Sequence, residues 1–250
     1  MLKSATLEVV IVVAALGVPY GLWQWYRKRR QAMTKDLKEH LIRCEHAIQT
    51  AKPILGKHGF PDDYRTVTVI GFISVLIEHQ ESALLLIMHG MAGSAFALAR
   101  PIVEGAYRGL WLNLPATDEE LKKFNEKDKI DPEFGAIAAA LDRAYDTGDF
   151  FQGFKNRAWK SLNSYAHGGM LQIGRRFVKH EVLNNYTEGE IYEITTTITT
   201  LVLVLISVFL KKQGQEDSGK EIDTLVETYG PVMDAKADVP HGEIGDAKTV

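Results

Sequence analysis

A chain of 250 residues that is 46% apolar can bury the core of one large domain or two small ones, and its net charge of −3 gives no overall attraction to nucleic acid or to an acidic surface. Its one cysteine, Cys44, excludes an intramolecular disulfide framework and a cysteine-cluster zinc site, and suits a reducing compartment.

The first predicted element is the run VVIVVAALGVPYGLWQWY, Val9 to Tyr26, which carries no formal charge and is followed at once by Arg27-Lys28-Arg29-Arg30. At about 1.5 Å per residue it covers roughly 27 Å, and with Leu7 and some tilt that matches the hydrocarbon core of a bilayer. Tyr20, Trp23, Trp25 and Tyr26 fall at headgroup depth, and the basic cluster belongs on the cytoplasmic side. Residues 7–26 are therefore expected to be an uncleaved single-pass anchor with the N-terminus out, and the bilayer is expected to be the partner of residues 7–30. A cleaved secretory signal would carry its basic residues before the apolar run.

Residues 27–58 combine that basic cluster with an amphipathic helix, whose apolar positions include Leu37, Leu41 and Ile48 and which should stop near Pro53 to Gly59. His40 and Cys44 stand one turn apart on it, on what should be an exposed helix, with no further metal ligand in view.

Residues 59–212 are expected to form a cytosolic helical bundle. TVTVIGFISVLIEHQESALLLIMHG, apolar on nearly all sides except at Glu78-His79-Gln80-Glu81, predicts a buried core helix. A helix over Ser94 to Asn113 follows, then DEELKKFNEKDK behind an Asp118 cap, PEFGAIAAALDRAY opening on Pro132, and FFQGFKNRAWKSLNSYAHGG closed by Gly168-Gly169. After MLQIGRRFVKHEVLN, a helix over Ile191 to Leu210 completes the bundle. Its uncharged part, Ile194 to Leu210, ends at Lys211-Lys212; a second crossing would leave those lysines outside, against the positive-inside bias, so a central helix of the soluble domain is the better reading. Residues 213–250 are polar and expected to be mostly disordered, with at most a turn or two near Ile222 to Tyr229. The fold class is thus all-α: a helical bundle with one N-terminal transmembrane helix and a disordered C-terminal tail.

Two constellations carry candidate chemistry. In LARPIVEGAYRGLWLN, Arg100, Glu104 and Arg108 recur at four-residue intervals, so they share one side of a helix whose other positions are apolar. They are either a buried ion ladder or a ladder in which the second cation faces an anionic ligand such as a phosphate or carboxylate. In NSYAHGG, Tyr165 and His167 sit beside glycines that permit close approach, with Arg175 and Arg176 following; packed against the first stripe they would line a polar pocket. No Glu-x-x-His, HExxH, Walker loop, GxSxG or dinucleotide fingerprint occurs, so no metal site or cofactor is expected.

The segments ALARPIVEGAYRGLWL and SYAHGGMLQIGRR resemble the paired signatures, RP-x-x-E-x-x-x-R-x-x-W-L and S-Y-x-H, of an uncharacterised family of bacterial helical domains, over about residues 80–180. That family is remotely similar to HEPN domains, helical bundles found in toxin and phage-defence ribonucleases. With the anchor and the candidate pocket, the expectation is a bacterial inner-membrane protein with its bulk in the cytoplasm that binds a ligand or partner, and the HEPN-like resemblance adds a role as a defence or stress effector. The alternative it implies is a metal-independent ribonuclease, with RNA as substrate, His167 or His180 as base and Arg175 or Arg176 holding the phosphate. The HEPN spacing Arg-x(4–6)-His is met by Arg175 and His180, although five residues along an intact helix turn the two side chains about 140° apart. A third reading is a structural, membrane-tethered module that forms homo-oligomers.

Overall fold

The computed structural model describes residues 33–229 except 179–180 and 183, so the expected anchor at 7–26 and the end of the tail lie outside the described residues. Nine helices make up nearly all of what is described. Helix α1 (Lys35–Gly56) is capped by the Thr34 hydroxyl, which accepts the Leu37 N–H, and it carries Pro53 inside its last turn. Thr34 also donates twice to the Glu188 carboxylate, at 2.9 and 2.8 Å. Helix α2 (Tyr64–Met88) starts at Asp63, whose carboxylate accepts the N–H groups of Arg65 and Thr66. Then come α3 (Ala92–Asn113), α4 (Asp118–Lys127), α5 (Phe134–Tyr145), α6 (Phe150–Ala166) and the single turn α7 (Met170–Gly174). A two-residue antiparallel ladder, β1 (Phe177–Val178) and β2 (Glu181–Val182), pairs Phe177 with Val182 and leads to α8 (Glu188–Lys212) and α9 (Glu216–Tyr229).

The core is built around α3, which packs on α2, α5, α6 and α8. Two glycines allow the closest approaches: a Cβ on Gly105 would stand 2.8 Å from a Leu76 methyl of α2, and one on Gly109 would stand 2.8 Å from a Leu205 methyl of α8. Both distances are too short for real carbon contacts, so larger residues would push the helices apart. On its other side α3 holds the start of α6. Tyr107 donates to the Phe151 carbonyl, and Asp142 of α5 accepts the N–H groups of Phe151 and Gln152, replacing the side-chain cap that α6 lacks at Asp149.

Several expectations need correction. The cap of α4 is Thr117, whose hydroxyl accepts the Glu120 N–H, with Asp118 in the first turn, and α5 starts at Phe134, two residues after Pro132. Helix α2 is not buried all round: one face packs through Val69, Ile73, Leu76 and Leu84, while Tyr64, Val67, Val75 and Leu85 are at least half exposed, because no described element covers that side. His40 and Cys44 are buried rather than solvated, because α1 lies along α8 and shares a polar layer with it. His40 Nε2 is 2.8 Å from the Thr195 hydroxyl and 3.5 Å from the Cys44 sulfur, its ring lies 4.3 Å from that of Tyr192, and Gln80 of α2 donates to Thr199. Residues 216–229 form a full helix rather than a turn or two, because Ile222, Leu225, Val226 and Tyr229 recur at helical spacing and Ile222 is fully buried.

Helices α2 and α8 are both long and apolar enough to cross a membrane by length and composition. Most of the apolar window of α8 is buried among the other helices, as a central helix requires, whereas only a third of that of α2 is.

Burial holds the His40 imidazole below its ordinary range, and the nearby Arg43 acts in the same direction. The folded state therefore disfavours the charged ring. The stability tied to its neutrality is present above about pH 6.5 and is lost as pH falls through the lower folded value. The melting temperature should fall on acidification below about pH 6.5, and should fall less in His40→Gln, as read by circular dichroism across pH.

Candidate functional site

Helix α3 carries Arg100, Glu104 and Arg108 on the side that faces α6, and α6 answers with Trp159, Asn163 and His167, again four residues apart. Arg108 Nη2 is 2.5 Å from Glu104 Oε1, and Arg100 Nε is 3.5 Å from Glu104 Oε2, a Coulombic contact without hydrogen-bond geometry. The Glu104 side chain is 21% exposed and that of Arg100 20%, so these two are largely withdrawn from water, while Arg108, at 38%, stands at the edge of the solvent.

Arg100 reaches across to α6. Its guanidinium lies 4.9 Å from the centre of the Trp159 ring, and its Nη1 donates to His167 Nε2. Arginine is only a donor, so in this contact Nε2 is the acceptor. Trp159 is held from behind by Phe134, stacked at 3.9 Å and 11°, and Phe134 in turn stacks on Tyr107 at 4.8 Å. Both faces of the indole are thereby occupied.

One glutamate thus meets two arginines. The Nε–H groups of Arg100 and Arg108 are buried without an acceptor, and the Oδ1 of Asn163 is buried without a donor. Three unsatisfied polar atoms on facing helices are costly in a closed core and cheap where a ligand supplies their partners.

The remaining sequence-predicted residues divide. Tyr165, two residues before His167, is buried edge-on against Phe96 at 5.1 Å. Arg175 does not join the site; it pairs with Glu190 at the start of α8. Arg176 lies against the first turn of α3, its Nη2 only 2.5 Å from where a Cβ of Gly93 would be, close to the buried Tyr186 hydroxyl. Burial and the neighbouring Tyr165 push that phenol up to about 12, so it remains neutral. His180 lies outside the described residues. Sequence reasoning missed Trp159 and Asn163, although their spacing with His167 in AWKSLNSYAH was a readable signal.

A separate cavity of about 420 Å³ opens between the starts of α2 and α4. Asp63, Asp118 and Glu126 outnumber Arg65 and Lys122 in its lining, and Arg65 is already engaged by Asp118 and the Leu112 carbonyl. It offers nothing to an anion. Among the described residues, no group of three His, Cys, Asp or Glu side chains is arranged to hold a metal ion.

Residues 73–234, more than half of the chain, match the model of a family described as Family of unknown function (DUF6988). No curated protein and no solved structure matches the chain.

The arrangement distinguishes the three charges by stability. Glu104→Gln leaves two guanidinium groups facing each other and should cost about 1–3 kcal/mol. Arg100→Met removes one of them and keeps an apolar stem over Trp159, so it should cost less than about 1 kcal/mol. Denaturant titrations of both variants will show the larger loss in the glutamate variant. Equal losses would make the trio a ladder between helices and nothing more.

Proposed function

We propose that this chain, which belongs to the DUF6988 family, is a membrane-anchored binding protein whose cytosolic helical domain holds an anionic group, a phosphate or a carboxylate, between Arg100 and Arg108. The observation that carries the reading is the imbalance at Glu104: two arginines share one carboxylate, each keeps an unsatisfied Nε–H, and the facing helix adds His167. A bound oxyanion would accept from both guanidinium groups and relieve the excess positive charge. Because Trp159 has no free face, recognition is of the charged group and not of a stacked base. The anchor belongs to the same reading. Residues 7–26 span the bacterial inner membrane once with the N-terminus out, supported by the uncharged run and the Arg27 to Arg30 cluster behind it.

Inorganic phosphate should raise the melting temperature of the purified full-length protein above that in chloride at equal ionic strength. Ligand at ten times its Kd contributes about 1.4 kcal/mol to folding stability. Arg100→Met and Arg108→Met should lose that increment; an undiminished increment in both variants overturns the assignment.

The convergence of Arg100 with His167 favours one second reading, metal-independent RNA cleavage. His167 would take the proton of a ribose 2′-hydroxyl, the oxygen would attack the adjacent phosphorus, and the 5′-oxygen would leave with a proton returned by the imidazolium or by water, giving a 2′,3′-cyclic phosphate and a 5′-hydroxyl. Arg100 would shift from the imidazole to the non-bridging oxygens, the task that the resemblance gave to Arg175 or Arg176. Full-length protein with a chelator present should then cleave single-stranded RNA, and His167→Ala should lose at least about a hundredfold in rate. Absence of cleavage by the wild type, or equal rates in the two, leaves the binding reading alone.

A further inference from the structure

We infer that the end of the bundle carrying α7 and the short ladder is a second membrane contact, seated on the headgroup layer of an anionic bilayer. This rests on the anchor reading and goes beyond it, because it assigns a lipid surface within the folded domain.

Five large apolar side chains are exposed at this end: Met88 and Met91 at the turn between α2 and α3, Met170 and Ile173 on α7, and Phe177 on β1, with Met170 77% and Phe177 53% exposed. They come from three segments tied into one surface, since Gln172 donates to the Gly93 carbonyl and Asn184 to the Gly90 carbonyl. Side chains of this kind on a rim are a liability in water and an anchor in the boundary between headgroups and acyl chains.

Chain geometry brings the bilayer here. Thr34 is bonded to Glu188, so the chain enters the domain at the start of α8, and Arg175 joins α7 to that same turn through Glu190. Arg30 precedes Met33 by three residues, about 10 Å of fully extended chain. On the anchor reading, the headgroups therefore come within reach of this end. Charge permits the contact: Glu188 and Glu190 at this end are engaged by Thr34 and Arg175, and Arg176, half-buried beside the apolar rim, has no carboxylate partner among the described side chains. The opposite end also exposes apolar residues, Tyr64 and Leu114, but its cavity is lined by Asp63, Asp118 and Glu126, which an anionic surface repels.

The test places a bimane fluorophore on Ile173→Cys or Leu114→Cys of the full-length protein. Cys44 stays unlabelled because it is 1% exposed. The two sites lie at opposite ends of α3, about 30 Å apart. The proteins are reconstituted in phosphatidylethanolamine–phosphatidylglycerol vesicles containing nitroxide lipids, and flotation is measured on the same samples. Flotation with most of the emission lost at position 173 and little lost at 114 supports the proposal. Flotation with equal quenching, or none, at the two positions overturns the lipid surface and leaves the anchor standing. Failure to float overturns the anchor and the surface together.

Discussion

Helix α3 must be buried on most sides and yet carry two guanidinium groups and a carboxylate along one stripe, and the surrounding helices are arranged to make that tolerable. The carboxylate of Glu104 lies between the two cations. Beyond it, Arg100 spreads its charge over an indole ring and an imidazole that both come from α6. These contacts disperse the positive charge without cancelling it. A residual charge held in a low-dielectric cleft is the property that lets a folded protein attract an anion, and it is retained at some cost in stability.

The helices themselves were legible in the sequence because apolar spacing and capping residues act locally. The Arg100–Glu104–Arg108 stripe and the end of α6 at His167 were legible for the same reason: residues four apart share a face, and NSYAHGG ends a helix. What could not be read was partnership across helices. Trp159 looked like any core aromatic until α5 supplied Phe134 behind it and α3 supplied Arg100 in front. Arg175 and Arg176 looked like the natural companions of His167, but the turn at α7 sends them to Glu190 and to the first turn of α3 instead. His40 and Cys44 sit on a helix whose composition is that of a solvated one. Only the threonines of α8 make its buried face polar enough to accept an imidazole.

The two ends of the bundle also differ in a way composition does not reveal. One gathers methionine, isoleucine and phenylalanine from three separate segments; the other gathers carboxylates around Arg65. Overall charge is close to neutral, so this polarity arises from how the helices are ordered. It gives the domain a direction, and the Arg100–Glu104–Arg108 stripe lies along α3 between the two ends.

Asp142 gives α6 a fixed zero point. Because the first turn of α6 is fastened from α5 and not by a residue of its own, the distance from Phe151 to His167 works as a ruler. Adding or deleting one residue within it would leave the fastening intact and rotate everything beyond by about 100°. His167 would then point away from Arg100 while the helix and its burial pattern near the cap stayed in place. Residue count along this segment thus sets the direction in which His167 points, whatever side chains stand between.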